Sequence, residues 1–204
     1  MKNPAILIGL ILTVMAPVAA QAQNQDHPPR RQTVKFDRIS AELPMGQVFA
    51  RGKLGLLCVQ HEAWTWNGAS QWINRDMFVR AFHETALAYG LPVAGDPTSL
   101  FGDQGYQDSD FLIGAQIREL QLDACAPMGG FGNTSSIKGR ATMTVEWQVY
   151  SKRAQRLVYR TTTRSAIDIP KAQPGGMYTL VLAPFRDNIR QLADDKMFQF
   201  SITN

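Results

Sequence analysis

The chain reads as an α+β protein: a mostly antiparallel sheet with a long β-hairpin, and two main helices packed on one face. Three observations predict this. From Ile137 every second residue is apolar or small, through Gly139, Ala141, Met143, Val145, Trp147 and Val149, while Lys138, Arg140, Thr142, Thr144, Glu146 and Gln148 fall between. That two-residue period belongs to a strand with one buried and one wet face. A second run, residues 156–169, is rich in β-branched side chains, and the polar stretch 151–155 is short enough for a hairpin loop. Finally, apolar residues recur at helical spacing before Tyr89 and again between Met177 and Ala193.

The chain opens with Met1-Lys2-Asn3, an apolar run over 4–14, and Ala20-Gln21-Ala22. A charged start, a short apolar core and an A-x-A site predict a signal peptide over residues 1–22, with cleavage after Ala22. The apolar run is too short for a spanning helix, and no later stretch is apolar enough to cross a bilayer. An uncleaved anchor is the alternative. No cysteine lies near the cleavage site, which argues against the bacterial lipoprotein route. The expected location is the periplasm. Residues 23–33 are polar and Pro-containing and are expected to be a disordered tail, leaving 34–204 as a single domain.

The net charge of +4 is a mild positive balance. No Lys/Arg cluster is dense enough to suggest nucleic acid. The two cysteines, Cys58 and Cys125, both fall in apolar stretches that read as strands. An even pair in an oxidising compartment suggests a disulfide, with two buried thiols as the alternative. Neither belongs to a C-x-x-C motif.

Taken in order, residues 34–39 form a first short strand. Residues 53–60, with Leu54, Leu56, Leu57 and Val59, read as a central strand covered on both faces. Residues 61–72 read as a loop that carries Trp64, Trp66 and Trp72, three of the four tryptophans. Clustered Trp can anchor a protein partner or stack on sugar rings; they can equally cover one end of the core. Asn74 or Ser70 caps a helix running to Tyr89, with Phe78, Phe82, Ala86 and Tyr89 on one face and Gly90 just beyond its end. A short strand is expected at 91–94.

Residues 111–125 form the next strand, and its apolar parity changes part-way: Phe111, Ile113, Ala115 and Ile117 share one phase, Leu120, Leu122 and Ala124 the other. One extra residue restores a single apolar face, so a β-bulge is expected near Arg118-Glu119. In the hairpin, Tyr150 is expected opposite Arg156, Trp147 opposite Tyr159 and Glu146 opposite Arg160. Residues 170–176 should break the second strand. The last helix, 177–193, carries Tyr178, Val181, Leu182, Phe185, Ile189 and Leu192 as a stripe, with Pro184 inside it. Residues 197–202 alternate weakly and suggest a final edge strand.

Catalytic chemistry is sparse. His27 lies in the tail, His61-Glu62 has no second His at ligand spacing, and His83-Glu84 is followed at position 87 by Leu, so the H-E-x-x-H pair is absent. No G-x-S-x-G occurs. Gly129-Gly130-Phe131-Gly132 lacks the G-K-[ST] ending of a phosphate loop, and Asp103, Asp108 and Asp110 miss the EF-hand spacing. No catalytic, metal or cofactor residues are assigned.

The element order, with the strand D-F-L-I-G-A-Q-I, the hairpin V-E-W-Q-V-Y and the ending A-D-D-K-M-F, resembles α+β accessory domains of Gram-negative envelope lipoproteins. These are the curli-pore, penicillin-binding-protein-activator and ABC-transport auxiliary types. The chain departs from them in lacking a lipobox cysteine. The segment K-G-R-A-T-M-T-V-E-W-Q-V-Y-S is also similar to a domain that precedes trypsin-like peptidases in some secreted proteobacterial proteins, here with no peptidase following. The resemblance implies a non-enzymatic periplasmic accessory protein that supports an envelope complex through protein–protein contacts. Expected partners are other cell-envelope proteins, with a homo-oligomer left open. Trp64, Trp66, Trp72, Lys152 and Arg153 are the candidate contact residues. The alternative is a small-ligand carrier or hydrolase with a site between sheet and helices.

Overall fold

In the computed structural model, which describes residues 32–55, 57–69, 73–96, 109–127 and 135–203, six strands form one mixed sheet. The strands are β1 (Val34–Ala41), β2 (Val48–Leu54), β3 (Gln60–Thr65), β4 (Phe111–Ala126), β5 (Ser136–Ser151) and β6 (Arg156–Pro174). The helices are α1 (Arg75–Ala88), α2 (Met177–Asp194) and α3 (Lys196–Ser201). The class is α+β, as expected. The strand order is β3-β2-β4-β5-β6, and β1 also pairs with β4. β1 and β2 share one edge of β4, both parallel to it: β1 lies along Phe111–Ile117 and β2 along Leu122–Ala126. β5 and β6 continue antiparallel on the other side.

The expected bulge is present. The β4–β5 register shifts between Ile117 and Glu119, so Arg118 is the extra residue and both apolar phases of β4 face the core. Arg118 turns outward to Glu42 and Glu146. The sheet's covered face meets the two main helices through aromatic rings. Phe36 stacks on Phe82 at 4.6 Å, Phe78 meets Phe185 edge-on at 4.6 Å, and Trp147 lies 5.8 Å from Phe185. Trp147 is fully buried, and its indole N–H donates to Thr163 Oγ1 at 2.7 Å, which satisfies its one polar atom inside the core. Asn188, also buried, donates from α2 to the Met143 carbonyl of β5 and to the Pro184 carbonyl.

Several expectations are corrected. The hairpin loop is 152–155, closed by Ser151 opposite Arg156, with Gln155 in the left-handed region. A second register shift follows between Val149 and Tyr150, so Trp147 faces Thr161 and Glu146 faces Thr162, two residues from the expected partners. Two is an even number, so the buried face is unchanged. The Glu146–Arg160 pair survives as a diagonal ion pair at 2.9 Å.

β6 does not stop at Ile169; it runs on to Pro174 through Pro170, which an edge strand tolerates because no neighbour needs its missing N–H. Residues 196–201 are the helix α3, not a strand. Asp195 caps it, accepting from the Met197 and Phe198 amides, and the weak alternation of the segment could not outweigh that cap. Asn74 is the N-cap of α1, accepting from the Asp76 amide at 2.9 Å. Tyr89 and Tyr178 lie largely outside the apolar stripes assigned to them. At 91–94 only a single bridge forms, Val34 to Val93.

The largest correction concerns 53–60. β2 ends at Leu54, a turn follows, and β3 begins at Gln60, so residues 61–65 are strand and not loop. Gly55 takes a positive φ that starts the turn, and Cys58 a φ of 53°. Leu57 and Val59 point into solvent.

Candidate functional site

Cys58 and Cys125 form a disulfide, with Cα atoms 5.7 Å apart. It joins the β2–β3 turn to the end of β4, and so ties two segments separated by 67 residues. Cys125 is on a strand as expected; Cys58 is on the turn.

The expected tryptophan loop is divided. Trp66 follows β3 and is 5% exposed, edge-on to Phe49 at 6.0 Å. Its amide donates to the Gln47 carbonyl at 2.8 Å and its carbonyl accepts from the Gly46 amide at 2.8 Å. Trp64 is half-buried and lies across Gly52, where the ring leaves no room for a Cβ. Both rings therefore cover one end of the core. Trp72, with Ser70, Asp103, Asp108 and Gly129–Gly132, lies outside the described residues. At the hairpin tip the Lys152 amide donates to the Asp110 carbonyl at 3.0 Å, and Asp110 in turn accepts from the Thr33 amide at 2.8 Å. Arg153 is exposed and lines a surface cavity of about 520 Å³ with Arg156, Ser151, Asp110 and Gln32.

The two described histidines lie on different elements, α1 and β3. His83 meets the Gly95 carbonyl at 2.8 Å, and His61 lies on the edge strand β3. Among the described residues no three His, Cys, Asp or Glu side chains gather as a metal-binding group. On the open face of the sheet, Glu146 sits between Arg118 and Arg160. Its carboxyl is held below the ordinary range, first by the Gln148 hydrogen bond and then by Arg118, against some burial. On the other side of the molecule Tyr159 donates to Asp195 at 2.5 Å. Burial pushes the Asp195 carboxyl up, but the bonds from Tyr159, Phe198 and Met197 outweigh it and leave the group below its usual value. Both carboxylates are fully committed to structural partners.

What the structure does assemble is a row of basic groups at the level of the disulfide. His61 of β3 is opposite Lys53 of β2, Lys53 is beside Cys125 of β4, and Cys125 is opposite Lys138 of β5. Paired residues point to the same face, so these side chains share the open face. Lys53 pairs with Asp123 at 3.1 Å. Lys138, opposite Cys125, has no ion pair among the described residues. Sequence reasoning missed this row because its members are far apart in the chain. No local pattern in the sequence signals it.

No family model matches the chain, and no curated protein matches it. Solved structures do. Protein XCC0632 from Xanthomonas campestris, of family-model DUF330, matches with 14% identity and a TM-score of 0.36, over 87% of this chain and 90% of its own. A PelC dodecamer from Paraburkholderia phytofirmans matches with 8% identity and a TM-score of 0.38, over 80% and 93%. A minor lipoprotein from Acinetobacter baumannii matches with 12% identity and a TM-score of 0.27, over 81% and 93%.

Proposed function

We propose that this chain is a non-enzymatic accessory protein of the periplasm that supports an envelope complex through protein–protein contacts. The observation that carries this reading is a filled interior bounded by open sheet edges. Where a ligand carrier or hydrolase would need a cavity between sheet and helices, the space is taken by Phe36, Phe78, Phe82, Trp147 and Phe185. The cavities at Arg153 and between α1 and α2 are surface grooves. Meanwhile, among the described residues, β3 and β6 each have one strand neighbour in the sheet, and an edge strand can accept a partner's strand by backbone hydrogen bonding. β3 is the better acceptor, because β6 carries Arg156, Arg160, Arg164 and two prolines. The disulfide supports an oxidising compartment.

The test is photo-crosslinking in cells from a probe at Ala63 on β3, with a second probe at Gln121 on the open face as control. A discrete protein adduct from Ala63, identified by mass spectrometry and absent from Gln121, is the expected result. Crosslinking to no protein from either position, in cells where the chain is abundant, would overturn the reading.

A further inference from the structure

The two halves of the disulfide sit in unlike surroundings. Cys125 is on β4, 6% exposed, on the open face and flanked by Lys53 of β2 and Lys138 of β5. Lys53 is tied to Asp123, so Lys138 is the uncommitted cation of the two. Directly opposed residues of an antiparallel pair have Cβ atoms about 4.5–5.5 Å apart, which starts the Lys138 side chain beside the Cys125 sulfur. Cys58 is only half-buried, on a turn between two residues that are both exposed. Its φ of 53° is a left-handed conformation that non-glycine residues rarely adopt. One end of the bond thus lies toward solvent on a strained turn, and the other is covered and next to a positive charge. A staple that only ties the hairpin to β4 would need neither difference.

We infer that Cys58–Cys125 is an exchangeable disulfide, in which a small thiol attacks at Cys58 and Cys125 departs as a thiolate beside Lys138. Attack follows access, and departure is faster from the sulfur whose thiolate a neighbouring ammonium stabilises. The incoming thiolate bonds to Cys58 Sγ, the Cys58–Cys125 bond breaks, and its electron pair leaves on Cys125 Sγ. A second thiolate then displaces Cys58 from the mixed disulfide. Two thiols are oxidised to one small disulfide, and their two protons end on Cys58 and Cys125. The opened turn is held to the sheet by non-covalent contacts alone, and Cys58 can leave its left-handed conformation. The site needs no partner on the β3 edge.

Incubation with reduced glutathione in native buffer, quenched with acid and mapped by peptide mass spectrometry, tests it. The mixed disulfide should be found on Cys58 and not on Cys125. Lys138→Gln should slow loss of the disulfide by about threefold, the size expected when one nearby ammonium no longer favours the leaving thiolate. Lys138→Arg should restore the wild-type rate. Lys152→Gln, which removes a charge at the far end of β5, should leave the rate unchanged. Melting curves of the oxidised Lys138 variants should match the wild type, because that side chain has no ion pair to lose. Trp147→Ala separates local exchange from unfolding: it weakens the core far from the bond, and an unchanged reduction rate is expected. A rate that rises with the unfolded fraction would mean that the bond opens only in the unfolded chain, and would overturn the inference. Glutathione found chiefly on Cys125, or Lys138→Gln reacting as fast as the wild type, would overturn it as well.

Discussion

The β4–β5–β6 meander and the β2–β3 hairpin are both antiparallel, yet they are held by different forces. The meander buries Ile113, Ile117, Leu120, Met143, Val145 and Trp147 under two helices. The hairpin contributes Phe49, Ala50 and Trp66 to the core at one end, and at the other end its apolar residues face water beside a disulfide. One region is stabilised by what it removes from solvent. The other is held in a shape that solvent would not choose. Apolar composition alone therefore does not say which side of the surface a segment occupies.

The largest test of this contrast is Trp147→Ala. It removes a fully buried ring and leaves Thr163 Oγ1 without its donor, and should cost about 3–5 kcal/mol in denaturant unfolding. A smaller loss would mean that the meander is not the stabilising region. Next, Cys58→Ser with Cys125→Ser releases a 67-residue link and should cost about 4 kcal/mol by loop-closure entropy. Hydrogen exchange should sharpen the comparison: amides of β2 and β3 should lose protection while those of Met143–Val149 keep it. Equal loss in both would merge the two regions into one cooperative unit.

Last and smallest, Asp195→Ala removes the cap of α3 and the Tyr159 bond, for about 1 kcal/mol. The sign with pH follows from the lowered carboxyl. Its contribution is fully present above the ordinary aspartate value of about 3.9 and is lost as pH falls through the lower folded-state value. The difference in melting temperature between wild type and Asp195→Ala should therefore shrink below about pH 4. A constant difference would remove Asp195 from the acid response.

The meander was legible because alternation over sixteen-residue strands leaves no other register face, and the phase change at Arg118 announced its own bulge. The register of the hairpin was legible only to parity. The second bulge, at Val149/Tyr150, spares every buried residue and so leaves no trace in the pattern. The helix α3 was hidden because six residues are too few to separate a helical from an alternating period, and its cap, Asp195, read as the end of the preceding helix. The 53–60 segment misled for a physical reason. An apolar run is evidence of burial only where nothing else fixes the backbone, and there a disulfide does. The same blindness hid the basic row, which exists only once four strands are laid side by side.

The placing of that disulfide also bears on how the chain reaches its native form. The meander closes over short sequence distances and can assemble early, whereas β1 and β2 must find β4 from far away in the chain, which is slow. Cys58 is carried by the late-arriving hairpin and Cys125 by the early strand, so oxidation is expected to record the arrival of β2 and not to direct it. With two cysteines in the whole sequence there is no scrambled isomer to repair. Within one chain an oxidising catalyst acting at any moment can form only the native Cys58–Cys125 bond, and needs no isomerase to correct it.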